Sequence, residues 1–585
     1  MKICLVNPDL TYAVETIREH TLHMPMGLLI LAAIMEQEGH EVTLVDMGWL
    51  WRNGELCLEQ GFLRDACSYI LAKNADIVGF STRCDSFATV LCLARRLKNK
   101  RPELPILLGG PQVSFTDLET LKLIPQVDYI IRGEAELSIA PFLSALESGK
   151  SLDSIPGLTF KKNGKPARNP DAPIVKNLDT IPFPAYHLMD PYITPGGDYS
   201  KYNIYLPVGR GCPGQCTFCV ACKFNPGLRY NSINRIIEEI KFLKDRYNLN
   251  GFTLGHDNLL VNRKMIEKLR EKLAGESGLR LSCIGRIDVL DNDYLEMLAK
   301  TGFHALLFGI ESGSARIQKI IKKNLDLEKV KPVLSFCQEH GILAIISLII
   351  GFPEETTEDI DATMLLALEC RSYPVVLPEL HLLSPMAGAP VLEKYKNSLK
   401  YTGIFSDAVD SPTLHLKEIR ALIRKYPELF STHRMLPTSV PRGLVIEISY
   451  TFRSILYTFP FITRLAIKEL EITPTTLMLE LRHWARKEKG FKGRYLLLSH
   501  TDLKNHYPEF VCSLYRKNNK STAMLNKMLE VEMSRLNIIM EEDRKFYRGA
   551  SRALQKVMDK TVFGRILPYN DEEKNHHKKT DIEGA

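Results

Sequence analysis

Residues 211–219 read Gly211-Cys212-Pro213-Gly214-Gln215-Cys216-Thr217-Phe218-Cys219, a glycine-rich loop with a C-x3-C-x2-C pattern. Soft thiolates suit iron–sulfur clusters, and this short spacing lets one loop wrap one cluster. Three thiolates can hold three irons of a [4Fe–4S] cube and leave the fourth iron open, where it can chelate an amine and a carboxylate. We therefore predict a cluster held by Cys212, Cys216 and Cys219.

A closed four-cysteine site is the alternative, because Cys222 follows Cys219 at C-x2-C spacing. Such pairs are typical of zinc sites with four ligands. The flanking sequence favours the open cluster. The apolar stretch 203–208 is typical of a strand, and a helical pattern begins near Asn231.

The alternation of strand-like and helical stretches continues to about residue 395. Together with the stretch before the cysteines, it gives six strand–helix units. The further candidate strands are 251–254, 280–283, 305–309, 344–348 and 379–383. Because such strands run parallel, their carboxyl ends meet on one side, where barrel enzymes carry their active groups.

The cysteine pattern, between a strand and a helix, resembles the signature of the radical S-adenosylmethionine (SAM) enzymes, which build a partial (β/α)6 barrel. Later motifs fit the family in order. They are Gly255-His256-Asp257, Gly285-Arg286-Ile287-Asp288, Gly309-Ile310-Glu311-Ser312-Gly313-Ser314 and Gly351-Phe352-Pro353-Glu354-Glu355-Thr356. The sequence departs from the family pattern at two positions. His256 stands where the family usually has a second acidic residue, and Glu354 stands where it has a glycine.

The resemblance implies that the open iron binds SAM. It places Phe218 near the adenine and assigns further contacts with SAM to His256, Asp257, Arg286, Glu311 and Ser312. Phe218 could instead be an ordinary core aromatic. Glu311 and Thr356 precede helices, where capping would also stabilise the fold.

Residues 1–150 alternate five candidate strands with helical stretches such as 27–37 and 87–98. The strands are 2–6, 41–45, 76–80, 105–108 and 127–131. This pattern predicts an α/β fold with a doubly wound, Rossmann-like parallel sheet, and ligands outside the carboxyl ends of the strands. No G-x-G-x-x-G follows the first strand, which argues against a dinucleotide.

Three segments of this domain resemble the P-x-G-L, G-G-P-x and G-E-x-E motifs of the cobalamin-binding domain fused to one branch of radical SAM enzymes. They are Pro25-Met26-Gly27-Leu28, Gly109-Gly110-Pro111-Gln112 and Gly133-Glu134-Ala135-Glu136. The resemblance assigns cobalamin contacts to Pro25, Gly27, Thr82, Arg83, Gly109, Gly110, Pro111, Gln112, Gly133 and Glu134. A receiver-like or flavin-binding domain is the alternative.

The D-x-H-x-x-G motif, whose histidine ligates cobalt from below, is absent. The resemblance implies that Thr82, Arg83 and Cys84 approach the lower face of cobalt instead. A cation there would keep the methyl group transferable. The alternative for Arg83 is a solvated or phosphate-contacting side chain.

Length and composition indicate a multidomain globular protein: 585 residues, 45% apolar and 25% charged. The net charge of +7 is small for this length, so we expect no nucleic-acid partner. Thirteen cysteines, mostly scattered singly, indicate a reducing compartment. Because neither a signal peptide nor a spanning apolar stretch is present, we expect a cytoplasmic location.

The expected organisation has five parts. They are a cobalamin-binding domain (1–150), a linker with a small hairpin (151–195), the radical SAM barrel (196–395), a mainly helical C-terminal domain (396–565) and a disordered tail (566–585). The stretch 443–470 is apolar and aromatic but interrupted by charges. We expect it to pack against the barrel mouth, with peripheral membrane contact as the alternative.

The resemblance implies a cobalamin-dependent radical SAM enzyme, foremost a C-methyltransferase that uses a 5′-deoxyadenosyl radical and methylcobalamin. Its cofactors would be a [4Fe–4S] cluster, SAM and cobalamin, with an electron donor such as flavodoxin or ferredoxin and a small-molecule or peptide substrate. The alternatives are a cyclase or rearrangement enzyme, a non-radical methylase of sp2 carbon, and a non-enzymatic cobalamin or redox sensor. The motifs fix cofactors rather than the reaction.

Overall fold

The fold is given by a computed structural model that describes residues 1–10, 21–58, 61–276 and 278–548, with side chains to residue 537. The predicted tail 566–585 lies outside the described residues. The chain forms two compact units, Met1–Ser449 and Tyr450–Ala585. The first unit contains two seven-stranded sheets and the second is helical.

The described strands are, in chain order, β1 (Lys2–Asn7), β2 (Thr21–Leu22), β3 (Glu41–Asp46), β4 (Ile77–Ser81), β5 (Ile106–Gly109), β6 (Tyr129–Ile131), β7 (Leu158–Lys162), β8 (Lys165–Arg168), β9 (Asn203–Pro207), β10 (Gly209–Arg210), β11 (Arg229–Tyr230), β12 (Gly251–Gly255), β13 (Arg280–Gly285), β14 (Phe303–Glu311), β15 (Leu343–Ile350) and β16 (Val376–Leu382).

The α-helices of the first unit are Met26–Gln37, Met47–Arg52, Phe62–Leu71, Phe87–Lys100, Pro111–Ser114, Asp117–Leu123, Ile139–Ser148, Ala221–Phe224, Ile233–Tyr247, Arg263–Leu273, Asn292–Thr301, Ala315–Ile320, Val330–His340, Thr357–Cys370, Pro390–Tyr395, Lys417–Lys425 and Arg442–Glu447. Those of the second unit are Arg453–Thr458, Pro460–Leu470, Pro474–Glu488, His500–Lys517 and Ala523–Arg548.

The first sheet has the strand order β3-β1-β4-β5-β6-β7-β8. Its first five strands are parallel, and the hairpin β7–β8 continues the sheet in antiparallel pairing. Residues Leu5, Val6, Val78 and Phe80 of the central strands are buried on both faces, because helices cover both sides of a doubly wound sheet. The predicted doubly wound fold is present, and the hairpin predicted within residues 151–195 extends this sheet.

The second sheet is an all-parallel half-barrel with the order β16-β15-β14-β13-β12-β9-β2. Its six predicted strands are present. The seventh, β2, was not predicted. It belongs to the N-terminal part of the chain and pairs with β9 through Thr21↔Asn203 and Leu22↔Ile204. The segment that leads to Pro25 is therefore attached to the edge of the barrel sheet.

Burial alternates along the barrel strands with a period of two residues. On β15, Ala344, Ile346 and Leu348 are buried, whereas Ser347 and Ile349 are partly exposed. Helices cover the first set, so the second set faces the concave side. The concave side is thus the open side of the half-barrel.

The barrel helices bury one apolar stripe each, as Ile233–Tyr247 illustrates. Ser232 caps its first turn by accepting a hydrogen bond from the N–H of Arg235, and Asn248 ends it in the left-handed conformation. Ile236, Ile240 and other stripe residues are buried against the sheet. The segments that connect the carboxyl ends of the barrel strands to the following helices carry the site.

Residues 396–449 pack against the first sheet's helices. The rings of Phe87 and Phe430 are 5.5 Å apart, and the hydroxyls of Thr89 and Thr413 are 2.8 Å apart. In the second unit, the buried Glu532 accepts hydrogen bonds from the N–H groups of Phe461 and Ile462 at 2.7 and 3.1 Å. Within the described part of the chain, none of the helices combines the length and apolarity that crossing a membrane requires.

Candidate active site

The cluster loop follows β9 and β10 at the carboxyl end of the barrel. Gly211 has φ +93°, and a side chain there would overlap the carbonyl of Gly227. Its N–H donates a hydrogen bond to Asp257 Oδ2 at 3.0 Å, and Asn225 Nδ2 donates to the same oxygen at 3.3 Å. Both the steric fit and these bonds fix the start of the loop.

The three predicted cluster cysteines share one partly exposed space. The N–H of Gly214 donates to Cys212 Sγ at 3.4 Å, and a methyl group on Gly214 would lie 3.4 Å from Cys212 Sγ and 3.8 Å from Cys216 Sγ. The N–H of Ala221 donates to Cys219 Sγ at 3.4 Å. N–H donors of this kind stabilise the sulfurs of iron–sulfur clusters and tune their potentials. Three soft donors, two of which accept such hydrogen bonds, fit a cluster.

Burial raises the pKa of two of these thiols, Cys216 and Cys219. The pKa of Cys219 is raised to about 11, mainly by burial, and the nearby sulfurs of Cys216 and Cys212 act in the same direction. Among the described residues, no three His, Cys, Asp or Glu side chains are arranged to hold a single metal ion. This holds for the three-cysteine set as well as for the four-cysteine set, so the choice between an open cluster and a closed site stays a prediction.

Three charged side chains gather beside Cys216. Glu311 is buried and has a φ of +69°, at the point where the pairing of β14 with β15 shifts register. Its carboxylate accepts a hydrogen bond from Lys323 Nζ at 2.7 Å. Arg286 donates to the carbonyl of Lys323 at 2.9 Å and pairs with Asp288 at 2.6 Å. The structure thus brings the predicted Arg286 and Glu311 together around Lys323, which sequence reasoning missed.

Ser312 has structural partners. Its fully buried hydroxyl lies 3.2 Å from Thr363 Oγ1 and accepts the N–H of Ser314 at 3.1 Å. Ser314 caps the helix Ala315–Ile320, and Thr356 forms a capping box with Asp359. The capping alternative therefore holds for Thr356, whereas Glu311 ends a strand instead.

His256 is a buried residue next to the cluster loop's anchor, Asp257. Its buried ring stacks on Tyr230 with the centroids 4.6 Å apart, and its Nδ1 accepts the N–H of Asn258 at 3.0 Å. Burial lowers its pKa, so the imidazole is neutral near pH 7. Asp257, the next residue, is exposed beside the cluster loop.

Phe218 packs into an apolar cluster. Its ring lies edge-on to Phe352 with the centroids 5.8 Å apart, near Ile317 and Leu436. This position matches the core-aromatic alternative, and contact with adenine stays a prediction.

Several residues assigned to cobalamin hold the loops of the first sheet to one another. The buried Thr82 donates from its hydroxyl to the carbonyl of Gly109 at 2.7 Å. A side chain on Gly110, at φ +102°, would lie 2.6 Å from the Thr82 carbonyl. Pro111 begins the short helix that carries Gln112, whose amide donates to the carbonyl of Leu429 at 3.1 Å.

Open space remains at the glycines of two other predicted segments. A methyl group added at Gly27 or Gly133 would have no neighbouring atom within 4 Å. A methyl group added at Gly109 would have one, the carbonyl oxygen of Ile131 at 3.8 Å. Pro25 precedes the helix that begins at Met26. A bulky cofactor can approach the backbone closely at such positions. The backbone at these three glycines is therefore accessible to a ligand, and contact with cobalamin there stays a prediction.

Arg83 lies between two buried carboxylates. Its guanidinium is 2.9 Å from Asp9 and 3.1 Å from Asp85. Burial raises the pKa of Asp85 to about 6, although Arg83 acts to lower it. The side chain does not present an uncompensated positive charge. Cys84 donates from its thiol to the carbonyl of Ala408 at 3.4 Å.

A second group that sequence reasoning missed lies on β16. Glu379 and His381 are partly exposed on the concave side, and His381 is 2.6 Å from Asp407 and 3.6 Å from Glu379. Burial alone lowers the pKa of His381, but hydrogen bonds to the two carboxylates raise it to about 10. The only sequence signal was the alternation Glu379-Leu380-His381.

Residues 206–367 match the Radical SAM superfamily, and residues 18–142 match the B12 binding domain. An uncharacterized methyltransferase of Pyrococcus horikoshii is 31% identical over 369 residues, which cover 62% of this chain and 77% of that protein. The anaerobic magnesium-protoporphyrin IX monomethyl ester cyclase of a Synechocystis species is 26% identical over 367 residues, with coverage of 61% and 70%.

Among solved structures, the radical SAM methyltransferase TsrM from Kitasatospora setae, with cobalamin and a [4Fe–4S] cluster bound, is similar with a TM-score of 0.55. The identity is 15%, over 78% of this chain and 97% of that one. The predicted family, fold class and cofactors are confirmed. The chain belongs to the cobalamin-binding branch of the radical SAM enzymes, whose cofactors are a [4Fe–4S] cluster, SAM and cobalamin.

Proposed function

We propose that this enzyme is a C-methyltransferase that acts on a small molecule between its barrel and its cobalamin-binding domain. Methyl transfer is supported by the 31% identity with the Pyrococcus horikoshii methyltransferase. The location is supported by the direct contact of the two cofactor loops: Arg210, two residues before Cys212, pairs with Glu136, three residues after Gly133. When bound, the cluster with SAM supplies a 5′-deoxyadenosyl radical and cobalamin supplies the methyl group.

Cys212, Cys216 and Cys219 hold the cluster in this proposal, and Cys222 does not. The three cysteines lie on the loop that Gly211 and Asp257 fix, whereas Cys222 lies on the helix that follows. Three ligands leave one iron for SAM. The protein's part is to hold the loop rigid and partly shielded from water.

SAM is held, we infer, by polar groups at the ends of β12, β13 and β14. Asp257 is exposed beside the loop and suits a SAM ammonium group. Arg286 and Lys323 carry positive charge next to Cys216 and suit a carboxylate. Glu311, paired with Lys323, keeps that lysine in place.

The substrate lies, in this proposal, on the concave side of the half-barrel. Tyr205 and Ile284 project apolar surface there, with 42% and 37% of their area exposed. An apolar wall suits a C–H group that must be positioned without water. Glu379 and His381 face the same side and can hydrogen-bond polar groups of the substrate.

His381 has a positioning role here because both carboxylates keep it protonated. Asp407, its partner, lies beside Ala408, whose carbonyl accepts the thiol of Cys84 in the cobalamin domain. Ser406 also donates to the carbonyl of Leu382 at the end of β16 at 2.7 Å. These contacts support a polar group at the junction of the two cofactor domains.

Cyclisation or rearrangement is the second candidate reaction. The observation that favours it is the 26% identity with the Synechocystis cyclase. For reduction of the cluster we propose an electron donor such as flavodoxin or ferredoxin. A reducing, cytoplasmic location agrees with the thirteen cysteines, none of which is disulfide-bonded.

The proposal is tested by following the transfer of a labelled methyl group from SAM to a substrate. Anaerobic enzyme with cluster and cobalamin is incubated with trideuteromethyl-SAM, a reductant and a metabolite extract of the source cells. We expect one extract compound to gain a trideuteromethyl group, and Cys216→Ala to abolish that gain. An unlabelled product that forms only with active enzyme would favour cyclisation or rearrangement.

A further inference from the structure

We propose that Glu134 and Glu136 position the cluster loop through Arg210 and Arg229, and that this network couples cobalamin binding to cluster assembly. Glu134 and Glu136 follow β6 in the cobalamin-binding domain, and the two arginines lie on the hairpin β10–β11 of the barrel. The inference rests on the proposed cofactor sites. It gives the G-E-x-E segment a role distinct from contact with cobalamin.

The network is a compact set of ion pairs. Glu134 Oε2 lies 2.9 Å from Arg229 Nη1 and 3.2 Å from Arg210 Nη1. Arg229 Nη2 also pairs with Glu134 Oε1, and Arg210 Nη2 with Glu136 Oε1. Arg229 further donates to the carbonyl of Val175 at 2.8 Å, and Glu134 accepts the N–H of that residue at 3.1 Å.

The four side chains are largely shielded from water, with exposures of 5% for Glu134, 9% for Glu136, 7% for Arg229 and 19% for Arg210. A buried charge that loses its partner is strongly destabilising, so the four groups must keep their arrangement together. Although burial raises the pKa of Glu134, its bonds to Arg229 and Arg210 bring it below the ordinary value. Glu134 is therefore charged at neutral pH.

The arginines transmit this arrangement to the cysteines through a short backbone. Arg210 lies opposite Arg229 in the backbone register of the hairpin β10–β11. The N–H of the next residue, Gly211, donates a hydrogen bond to Asp257. Cys212 comes next in the chain. A shift of the Arg210 side chain therefore moves the start of the cluster loop.

At the other end, Glu134 follows Gly133 directly. The N–H of Gly133 donates to Ser114 Oγ at 2.9 Å, and the space above the glycine is open to a ligand. A ligand that orders this turn also orders Glu134. By thermodynamic reciprocity, a cluster that orders the Arg210 side must then favour the ligand as well.

The experiment compares the Kd of hydroxocobalamin for cluster-loaded and cluster-free protein. We expect the wild type to bind more tightly when the cluster is present, by about 5-fold or more. In Arg210→Gln and in Glu136→Gln, the ratio of the Kd of cluster-free protein to that of cluster-loaded protein should be close to one. The double variant should show no additional loss, because both changes break the same pair.

Iron content and the electron paramagnetic resonance signal of the reduced cluster give a second readout. In the wild type both should rise when cobalamin is added before reconstitution, and Arg210→Gln should remove that gain. Arg210→Lys, which keeps the charge but loses the two-pronged geometry, should give intermediate ratios. Asp190→Asn is the matched control, because it breaks an ion pair outside the network, with Arg246 on the barrel helix Ile233–Tyr247.

Two results would overturn the coupling: a wild-type ratio of one with both cofactors bound, or an unchanged ratio in folded Arg210→Gln. If Arg210→Gln does not fold, the Arg210→Lys ratio decides. Failure of the wild type to bind either cofactor would instead contradict the proposed function.

Discussion

The N–H of Gly211 donates a hydrogen bond to the carboxylate of Asp257 at 3.0 Å, which ties the cluster loop to the end of β12. The same oxygen accepts Asn225 Nδ2 from the other side of the loop. One carboxylate thus anchors both ends of the segment that carries the three cysteines.

Asp257→Ala should lower the iron content after anaerobic reconstitution, because the loop loses its shared acceptor. Asp257→Asn keeps an acceptor oxygen at that position and should retain most of the iron. Iron and sulfide analysis with the cluster absorbance measures both. Equal iron content in the alanine variant and the wild type would contradict the anchoring role.

Cys222→Ala should retain a [4Fe–4S] cluster, whereas Cys216→Ala should lose it. The reason is that the open iron requires three protein ligands rather than four. Electron paramagnetic resonance of the reduced proteins, with and without SAM, distinguishes the two variants. A loss in Cys222→Ala as large as that in Cys216→Ala would refute the three-ligand assignment.

Bound cobalamin should be base-off and have no histidine on cobalt. The D-x-H-x-x-G motif is absent, and the turn after β4 offers Thr82, Arg83 and Cys84. The spectrum of the Co(II) form should lack nitrogen superhyperfine splitting. Observed splitting would point to a histidine ligand and contradict this prediction.

Glu355 should make stability fall as pH rises. Burial raises its pKa to about 8, well above the ordinary 4.5. The folded protein therefore keeps the proton that the unfolded chain releases above pH 4.5. Its stabilising contribution is complete below pH 4.5 and is lost as pH rises toward 8, by up to about 1.4 kcal/mol per pH unit.

Glu355→Gln removes that slope but keeps an oxygen for the N–H groups of Gly351 and Phe352, which donate to Glu355 at 2.6 and 2.9 Å. Its thermal midpoint should approach or exceed that of the wild type as pH increases from 5 to 8. Glu355→Ala, which leaves both donors without the carboxylate, should be less stable at every pH. Parallel midpoint curves for wild type and Glu355→Gln would disprove the raised pKa.

Much of the fold could be predicted because parallel strands carry a local pattern. Buried runs such as those of β1 and β4 are continuous and apolar, and each is followed by a helical period. β2 escaped prediction because two residues form no periodic signal. Its pairing with β9 is decided by tertiary contact.

The site was predicted only where the chemistry is local in sequence. The cysteine loop is one short segment, whereas the partners of Glu134 lie 76 and 95 residues away, at Arg210 and Arg229. Asp407, the partner of His381, lies 26 residues on, in a different element. A local motif identifies candidate site residues, but it does not identify the residue, distant in sequence, with which each of them forms an ion pair.

The central claim is methyl transfer coupled to radical formation, and the ratio of the two SAM products tests it most directly. In reactions that convert the labelled extract compound, S-adenosylhomocysteine and 5′-deoxyadenosine should form close to one to one. S-adenosylhomocysteine without 5′-deoxyadenosine would contradict the radical mechanism and indicate direct methylation of an sp2 carbon. Substrate conversion with 5′-deoxyadenosine but no S-adenosylhomocysteine would contradict methyl transfer itself.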